Sequence, residues 1–328
     1  MSAKSLAILY SGSADSQRPD DADTLAEAAF LRGLAEELGY QVAMVSYAQE
    51  LSEVMWQLDS AQPQVVLNLV QSVEGSDADI DEATATLDVM LMPYTGSDTG
   101  ALRAIATKPA MKSLLRAASI PTPEWLDEYD VHSAPQGTYI VKSVSEHCSL
   151  GIDATSIVSA DRLPDTIADR KARFGGEWFA EGYLPGREFN VSLLADSTGV
   201  KILPIAELSF AAMPHGHPPI VDYAGKWEPQ SASYSGSQRV FPPLQGPDGA
   251  LLNQLASLAL ACWRACGLSG YARVDFRLDA QGNPWVIDVN ANPCLSSDAG
   301  FMAAAAQARL PASTVLQRIL DDAASRTA

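Results

Sequence analysis

The stretch 271–294, YARVDFRLDAQGNPWVIDVNANPC, alternates as a β-hairpin does and carries Arg273, Asp275, Asp288 and Asn290. Successive side chains on a strand point to opposite faces, so Arg273 and Asp275 share one face of the first strand. By the same rule Asp288 and Asn290 share one face of the second. The turn DAQGN folds the strands back until positions 275 and 288 become neighbours. Like charges directly opposite are destabilising unless a cation lies between them. Two carboxylates and an amide oxygen are hard ligands suited to Mg²⁺, which keeps waters and phosphate oxygens as its remaining ligands. A solvated hairpin whose acids pair with Arg273 or Arg277 is the bland alternative. The hairpin alone leaves both open.

Two other stretches carry groups that suit a nucleotide. VKSVSEHCSLGID (141–153) leaves a strand through Lys142 and enters a Ser/Cys/Ser/Gly loop. Such a loop lends backbone N–H groups to phosphate oxygens while the lysine adds a point charge. It is not a Walker loop, and by itself it reads as a surface turn. Lys108, just before a helix, by itself reads as a solvated lysine. FAEGYLPGREFNV (179–191) runs from a strand with Glu181 through a link with Pro185 and Gly186 into a strand with Glu188. That link can present backbone groups to an adenine edge and an acid to ribose hydroxyls. A plain hairpin turn is its bland reading.

The elements that must position these residues follow from hydrophobic periodicity. A strand at 5–10, a helix over 24–38, a strand at 40–47, a helical stretch and a buried-looking strand at 64–70 make a βαβαβ opening. Residues 79–90 read as helical and 92–98 as a short strand entering a turn. A new unit begins near Gly100. A helix over 107–118 stops at IPTPEW, whose two prolines cannot continue it. Strands follow at 137–142 and 153–158, then a helix over 160–174. The remainder reads as strands at 178–183, 188–194 and 201–209, a long helix over 248–266, the hairpin and a helical tail. The expected fold class is an α/β N-terminal domain followed by two α+β lobes, with the ligand between lobes.

Composition narrows the partners. The chain has 328 residues, 47% hydrophobic and 19% charged, with a formal net charge of −18. That is globular composition, and the charge argues against DNA or an anionic membrane surface as the main partner. No apolar run reaches membrane-spanning length, and the N-terminal one is too short for a signal peptide. Four cysteines give no disulfide framework. A cytoplasmic, enzyme-like protein is expected. Cys262 and Cys266 share an apolar helix face and read as packing, and His215 and His217 read as part of a loop over the site. No G-x-G-x-x-G follows the first strand, which removes a nicotinamide-binding Rossmann unit.

In this order the pieces resemble the ATP-grasp superfamily, most closely its D-alanine–D-alanine ligase branch. The matching runs are PYTGSD, IPTPEW, GREFNV and GYARVDFRLDAQGNPWVIDVNANP. The resemblance implies an ATP-grasp fold, with 1–100 as a pre-ATP-grasp domain, 101–180 as the small lobe and 181–328 as the large lobe. It implies ATP and Mg²⁺. Lys108 and Lys142 would then touch phosphates, and the loop with Glu146, Cys148 and Ser149 would close over them. Glu181 and the backbone of Tyr183 and Leu184 would bind adenine, and Glu188 the ribose. Lys226 would reach the γ-phosphate from a mobile loop. Asp275, Asp288 and Asn290 would hold magnesium, and Arg273 would stabilise the oxyanion of the transferred acyl group. Cys294, Ser296 and Ser297 would face the substrates. The implied reaction is ADP-forming carboxylate–amine ligation through an acyl phosphate, on small amino-acid-like substrates. Relatives are often homodimers.

The departures cluster at the substrate end. The branch carries a glutamate in the loop after the first strand; here that loop, SGSADSQRPDDADTL, holds only Asp15, Asp20, Asp21 and Asp23. The family's His-Gly after the third strand is absent. Cys294 replaces the glycine of the oxyanion loop, Ala299 stands where a serine binds the second substrate's carboxylate, and Asp288 where glutamate is usual. Substrates other than two D-alanines are therefore expected. Another nucleophile, intramolecular ring closure, or nucleotide binding without ligation are the alternatives, and a thiol role for Cys148 or Cys294 is a minor further reading.

Overall fold

The computed structural model describes residues 4–12, 19–73, 76–146, 149–228 and 230–326. Asp15 and Cys148 lie outside these residues, as do the side chains of Asp20 and Asp21.

The opening unit runs β1 (Lys4–Tyr10), α1 (Pro19–Glu37), β2 (Tyr40–Ser46), α2 (Leu51–Ala61), β3 (Val65–Leu69) and α3 (Asp81–Val89). Its sheet is parallel with the order β2-β1-β3. Leu6 to Leu9 of β1 are all buried, as expected of a central parallel strand covered on both faces. The chain continues through α4 (Thr99–Ile105) and α5 (Lys108–Ala117). A four-stranded antiparallel sheet follows, built from β4 (Trp125–Leu126), β5 (Thr138–Ser143), β6 (Ile157–Ser159) and β7 (Trp178–Gly182) in the order β4-β7-β5-β6. The helix α6 (Leu163–Phe174) packs on it.

The third sheet is laid down by β8 (Glu188–Asp196), β9 (Gly199–Ile202) and β10 (Ala206–Ser209). After α7 (Tyr223–Trp227) and α8 (Ala232–Gly236) come β11 (Gln238–Val240), α9 (Gly249–Ala265), β12 (Tyr271–Leu278) and β13 (Pro284–Asn290). Its path is β11-β10-β8-β12-β13, with β9 paired to β8. The chain ends with α10 (Gly300–Gln307) and α11 (Ala312–Ser325). Phe301, Val315, Leu316 and Ile319 of these helices pack with Leu6, Ile8 and Leu31 of the first unit and with Leu194 and Tyr271 of the third sheet. The two ends of the chain therefore close one core. Leu102, Ile105, Met111 and Leu115 of α4 and α5 pack with α9 and the β8-β12-β13 strands.

Three expectations need correction. The strand read over 201–209 is two strands along β8, because Pro204 supplies no N–H and the register slips by one residue between the Leu193–Ile202 and Asn190–Ala206 pairs. Residues 153–158 are mostly not strand. Asp153 caps a 3₁₀ turn, Ala154–Ser156, and only Ile157–Ser159 pairs with β5. In 92–98 only Tyr94 pairs, in an isolated bridge to Val66, and α4 starts directly after it under the Asp98 cap.

Candidate active site

The hairpin departs from strict alternation where the chemistry sits. Along β12, Ala272, Val274, Phe276 and Leu278 enter the core, while Arg273, Asp275 and Arg277 face the opposite side. On β13, Val286 and Val289 are both core residues, and Ile287, Asp288 and Asn290 face a cavity. Residues 286 and 289 share a face only because the register shifts after Asp275, a β-bulge that re-aims the strand. Without it Asp288 would share a face with Val286 and enter the core. The bulge leaves Asp275 opposite Asp288 and Arg273 opposite Asn290.

Across the other edge of β12, Asp275 pairs with Asn190 and Arg277 with Glu188. Asn190 Nδ2 donates to Asp275 Oδ1 at 2.7 Å. Arg273 grips the same carboxylate twice, Nε to Oδ1 at 2.8 Å and Nη2 to Oδ2 at 2.9 Å. Burial lowers the basicity of Arg273, and Asp275 more than restores it, so the guanidinium stays more basic than usual. The arginine pairing that sequence left open is therefore present, and the metal reading must be tested beside it. Asp275, Asp288 and Asn290 offer only hard oxygen donors, and all three line one cavity, which fits Mg²⁺. Among the described residues no three His, Cys, Asp or Glu side chains form an all-protein cage.

The cavity has a volume of about 480 Å³, within the range of small-ligand sites. Lys108, Lys142, Glu146, Ser149, Glu181 and Glu188 line one end. Lys108 is buried, not solvated, and donates to Glu146 O at 2.6 Å; burial lowers its basicity. Lys142 Nζ lies 2.6 Å from Glu181 Oε1, and Lys112 Nζ lies 2.5 Å from Oε2. Burial alone would raise Glu181, but the two ammonium groups overturn it and hold the carboxyl below its ordinary range. Lys112 was not foreseen. Its signal was present: 108, 111, 112 and 115 follow the i, i+3, i+4, i+7 pattern, and that buried face of α5 carries two lysines. Glu188 is pushed up by burial, opposed by Arg277 at 3.7 Å.

Tyr183 and Leu184 line the same end, and the Tyr183 N–H is used on Thr138 O at 3.0 Å. Two loops cover the cavity and latch to each other. Ser149 Oγ donates to Val221 O, and the Tyr223 N–H to Ile152 O, each at 3.0 Å. Gly151 has φ +65°, and a Cβ there would stand 2.5 Å from Trp178 Cη2, so only glycine fits the first loop. Lys226, on α7, also lines the cavity. Asp222 caps that helix through the Gly225 N–H and is braced by His217 Nε2 at 3.1 Å. Residues 210–222 thus form the expected loop beside Lys226.

At the other end Arg273, Cys294, Ser296 and Ala299 line the cavity, joined by Asp23, Gln71, Arg239 and Asp298. Ser297 is exposed and does not line it. Burial pushes the Cys294 thiol up to about 12, with Glu27 adding to the effect. Cys262 and Cys266 are buried in the α9 core, which agrees with packing. Asn190 could have been found as the next same-face residue after Glu188. Gln71 and Arg239 have no local pattern. Among the described residues no helix is long and apolar enough to cross a membrane.

The family model D-ala D-ala ligase C-terminus matches residues 116–321. A D-alanine–D-alanine ligase of Synechococcus sp. (strain JA-3-3Ab) is 28% identical over 305 residues, covering 89% of this chain and 86% of that protein. The uncharacterized protein y4sG of Sinorhizobium fredii is 29% identical over 268 residues, covering 80% and 75%. The crystal structure of a D-alanine–D-alanine ligase from Bacillus anthracis complexed with ATP matches with a TM-score of 0.75 at 19% identity. It covers 100% of this chain and 99% of that one, and shows the shared ATP-grasp fold. The chain belongs to the D-Ala–D-Ala ligase C-terminus family and is an ATP-grasp, ADP-forming carboxylate–amine ligase.

Proposed function

We propose that the chain joins an amino-acid-like carboxylate to an amine, that the pair is not two D-alanines, and that the cavity residues divide the work by position. The observation that carries this reading is one continuous cavity with lysines at one end, hard oxygen donors on its floor and Arg273 beside Cys294 at the other. Lys108, Lys142 and Lys226 offset phosphate charge. Asp275, Asp288 and Asn290 hold magnesium, which supplies charge neutralisation across phosphate oxygens when bound. Glu181 is committed to two lysines, so we assign it to fixing the Lys142 ammonium rather than to adenine. The Tyr183 carbonyl and the Leu184 N–H remain for the adenine edge, and Glu188 for the ribose.

Arg273, kept fully charged by Asp275, stabilises the oxyanion as the amine adds to the activated carbonyl. The latched loops over 149–152 and 221–226 exclude water that would otherwise hydrolyse the activated carboxylate. Asp23 stands where an ammonium group of the first substrate can be recognised. The division into 1–100, 101–180 and 181–328 is kept as a functional description, supported by one sheet centred in each unit.

The altered substrates are supported by Cys294, Ala299 and the acids of α1. The relatives' names make D-Ala the first compound to try. The test is a phosphate-release screen over amino-acid and carboxylic-acid pairs with Mg–ATP, products identified by mass spectrometry. A mixed product is expected. Efficient D-Ala–D-Ala formation from D-Ala alone would refute the substrate part, and failure to bind ATP would refute the whole.

A further inference from the structure

Glu27 is a carboxylate on the apolar face of α1, beside Ala28, Leu31 and Ala35, and it is 1% exposed. A buried acid costs free energy unless its oxygens are hydrogen-bonded. Oε1 accepts the Leu295 N–H at 2.5 Å and Oε2 accepts Gln71 Nε2 at 3.0 Å. The Cys294 thiol stands close by and is aimed at Asp23 Oδ2, 3.8 Å away. Leu295 is 268 positions away in sequence, so this contact ties the first helix to the turn over 293–296. That turn carries Cys294 and Ser296, both of which line the cavity. They are joined to each other, with Cys294 Sγ 3.2 Å from Ser296 Oγ. Glu27 does not line the cavity itself.

The peptide unit is planar and trans, so aiming the Leu295 N–H at Glu27 aims the Cys294 carbonyl the opposite way. One hydrogen bond thereby sets the orientation of the cavity wall next to Arg273. Nothing in the apolar surroundings requires an acid here, since a leucine or methionine would fill the space at lower desolvation cost. The acid is explained by its bond to the turn. We propose that Glu27 is a positioning residue: it fixes the Cys294–Leu295 peptide plane and with it the substrate-end wall, without touching substrate.

Burial pushes the Glu27 carboxyl up to about 7, and Asp23 one turn earlier adds to the rise. The titratable groups facing it are Asp23 on its own helix, Cys294 on the turn and Tyr271 on β12. The ionised carboxylate is the stronger acceptor for the Leu295 N–H. Tightening of the turn, and turnover with it, therefore rises with pH through about 7.

The turnover part rests on the ligase reading above; the structural part does not. Wild type, Glu27→Gln and Glu27→Ala are compared by amide hydrogen exchange of the segment over 293–297, and by kcat, KM for ATP and the pH profile of kcat. In Glu27→Ala the Leu295 amide should lose protection by roughly tenfold to a hundredfold, the range for a bond to a charged group. Its kcat should fall while KM for ATP stays. Glu27→Gln should keep part of the protection and lose the rise of kcat through neutral pH. Wild-type protection at Leu295 in Glu27→Ala would overturn the proposal. If that variant does not melt cooperatively, Glu27→Gln decides: protection and pH profile both equal to wild type overturn it. A wild type without ligase turnover refutes the proposed function, and hydrogen exchange then decides on Glu27 alone.

Discussion

Glu181, lining one end of the cavity, and Glu27, behind the wall of the other, are two buried carboxylates, and burial pushes both upward. Their fates differ. Glu181 lies between the ammonium groups of Lys112 and Lys142, which hold it below the ordinary range. Glu27 is met by a backbone N–H and an amide, both neutral, and rises to about 7. The partner, not the degree of burial, decides whether a buried acid is a fixed charge or a titrating one. At the nucleotide end Glu181 therefore stays a fixed charge that anchors Lys142. The substrate end carries a group whose charge depends on its surroundings.

The largest expected effect is on the floor between the two ends. Asp275→Asn removes the negative charge that would offset a metal ion and that holds Arg273. We expect kcat to fall by about a thousandfold, with circular dichroism unchanged; an active variant would take Asp275 out of the chemistry. Next is the fixed-charge end. Lys112→Met leaves Glu181 with one cation in a dry site and should cost about 3–5 kcal/mol in urea unfolding. A loss under about 1 kcal/mol would mean that Lys142 alone sets the state of Glu181.

The titrating end gives a smaller, pH-dependent effect. Because the folded state raises Glu27 from 4.5 to about 7, it binds the proton more tightly than the unfolded chain does. The linked stability is complete below about pH 4.5, declines as pH rises and is gone above about pH 7. Its size is at most about 3 kcal/mol. Glu27→Gln should flatten this slope between pH 5 and roughly 7 in denaturant titrations. A variant with the wild-type slope would place the titration elsewhere. The smallest effect is expected at the thiol. Cys294, pushed up to about 12, is almost wholly protonated at neutral pH and is a poor nucleophile there. Cys294→Ser should change kcat less than about threefold, and iodoacetamide should label Cys294 slowly; rapid labelling would contradict its protonated state.

The nucleotide end was largely legible because its residues lie on continuous strands or at helix starts. Lys142, Glu181 and Glu188 follow from alternation and from the link with Pro185 and Gly186. Even there Lys108 taken alone reads as a solvated lysine and reaches the phosphates only through the resemblance, and Lys112 was missed. A lysine on an apolar helix face makes sense only once its anion is known to lie opposite. The substrate end was barely legible. Glu27, Gln71 and Leu295 have no shared motif, and 268 positions separate the acid from the N–H it accepts. The expectation for Ser297 followed from its place in the run NANPCLSS, and the turn leaves it exposed.

What the sequence determined by itself was the order of elements, the set of groups able to handle a nucleotide, and the pairing of Asp275 with Asp288. These depend on local periodicity and on turn chemistry. Tertiary structure alone decided which face Asp288 takes, because one bulge reverses alternation between Val286 and Val289. It also decided which buried acids keep their charge. That depends on what packs against each oxygen, and the packing joins helices at both ends of the chain into one core.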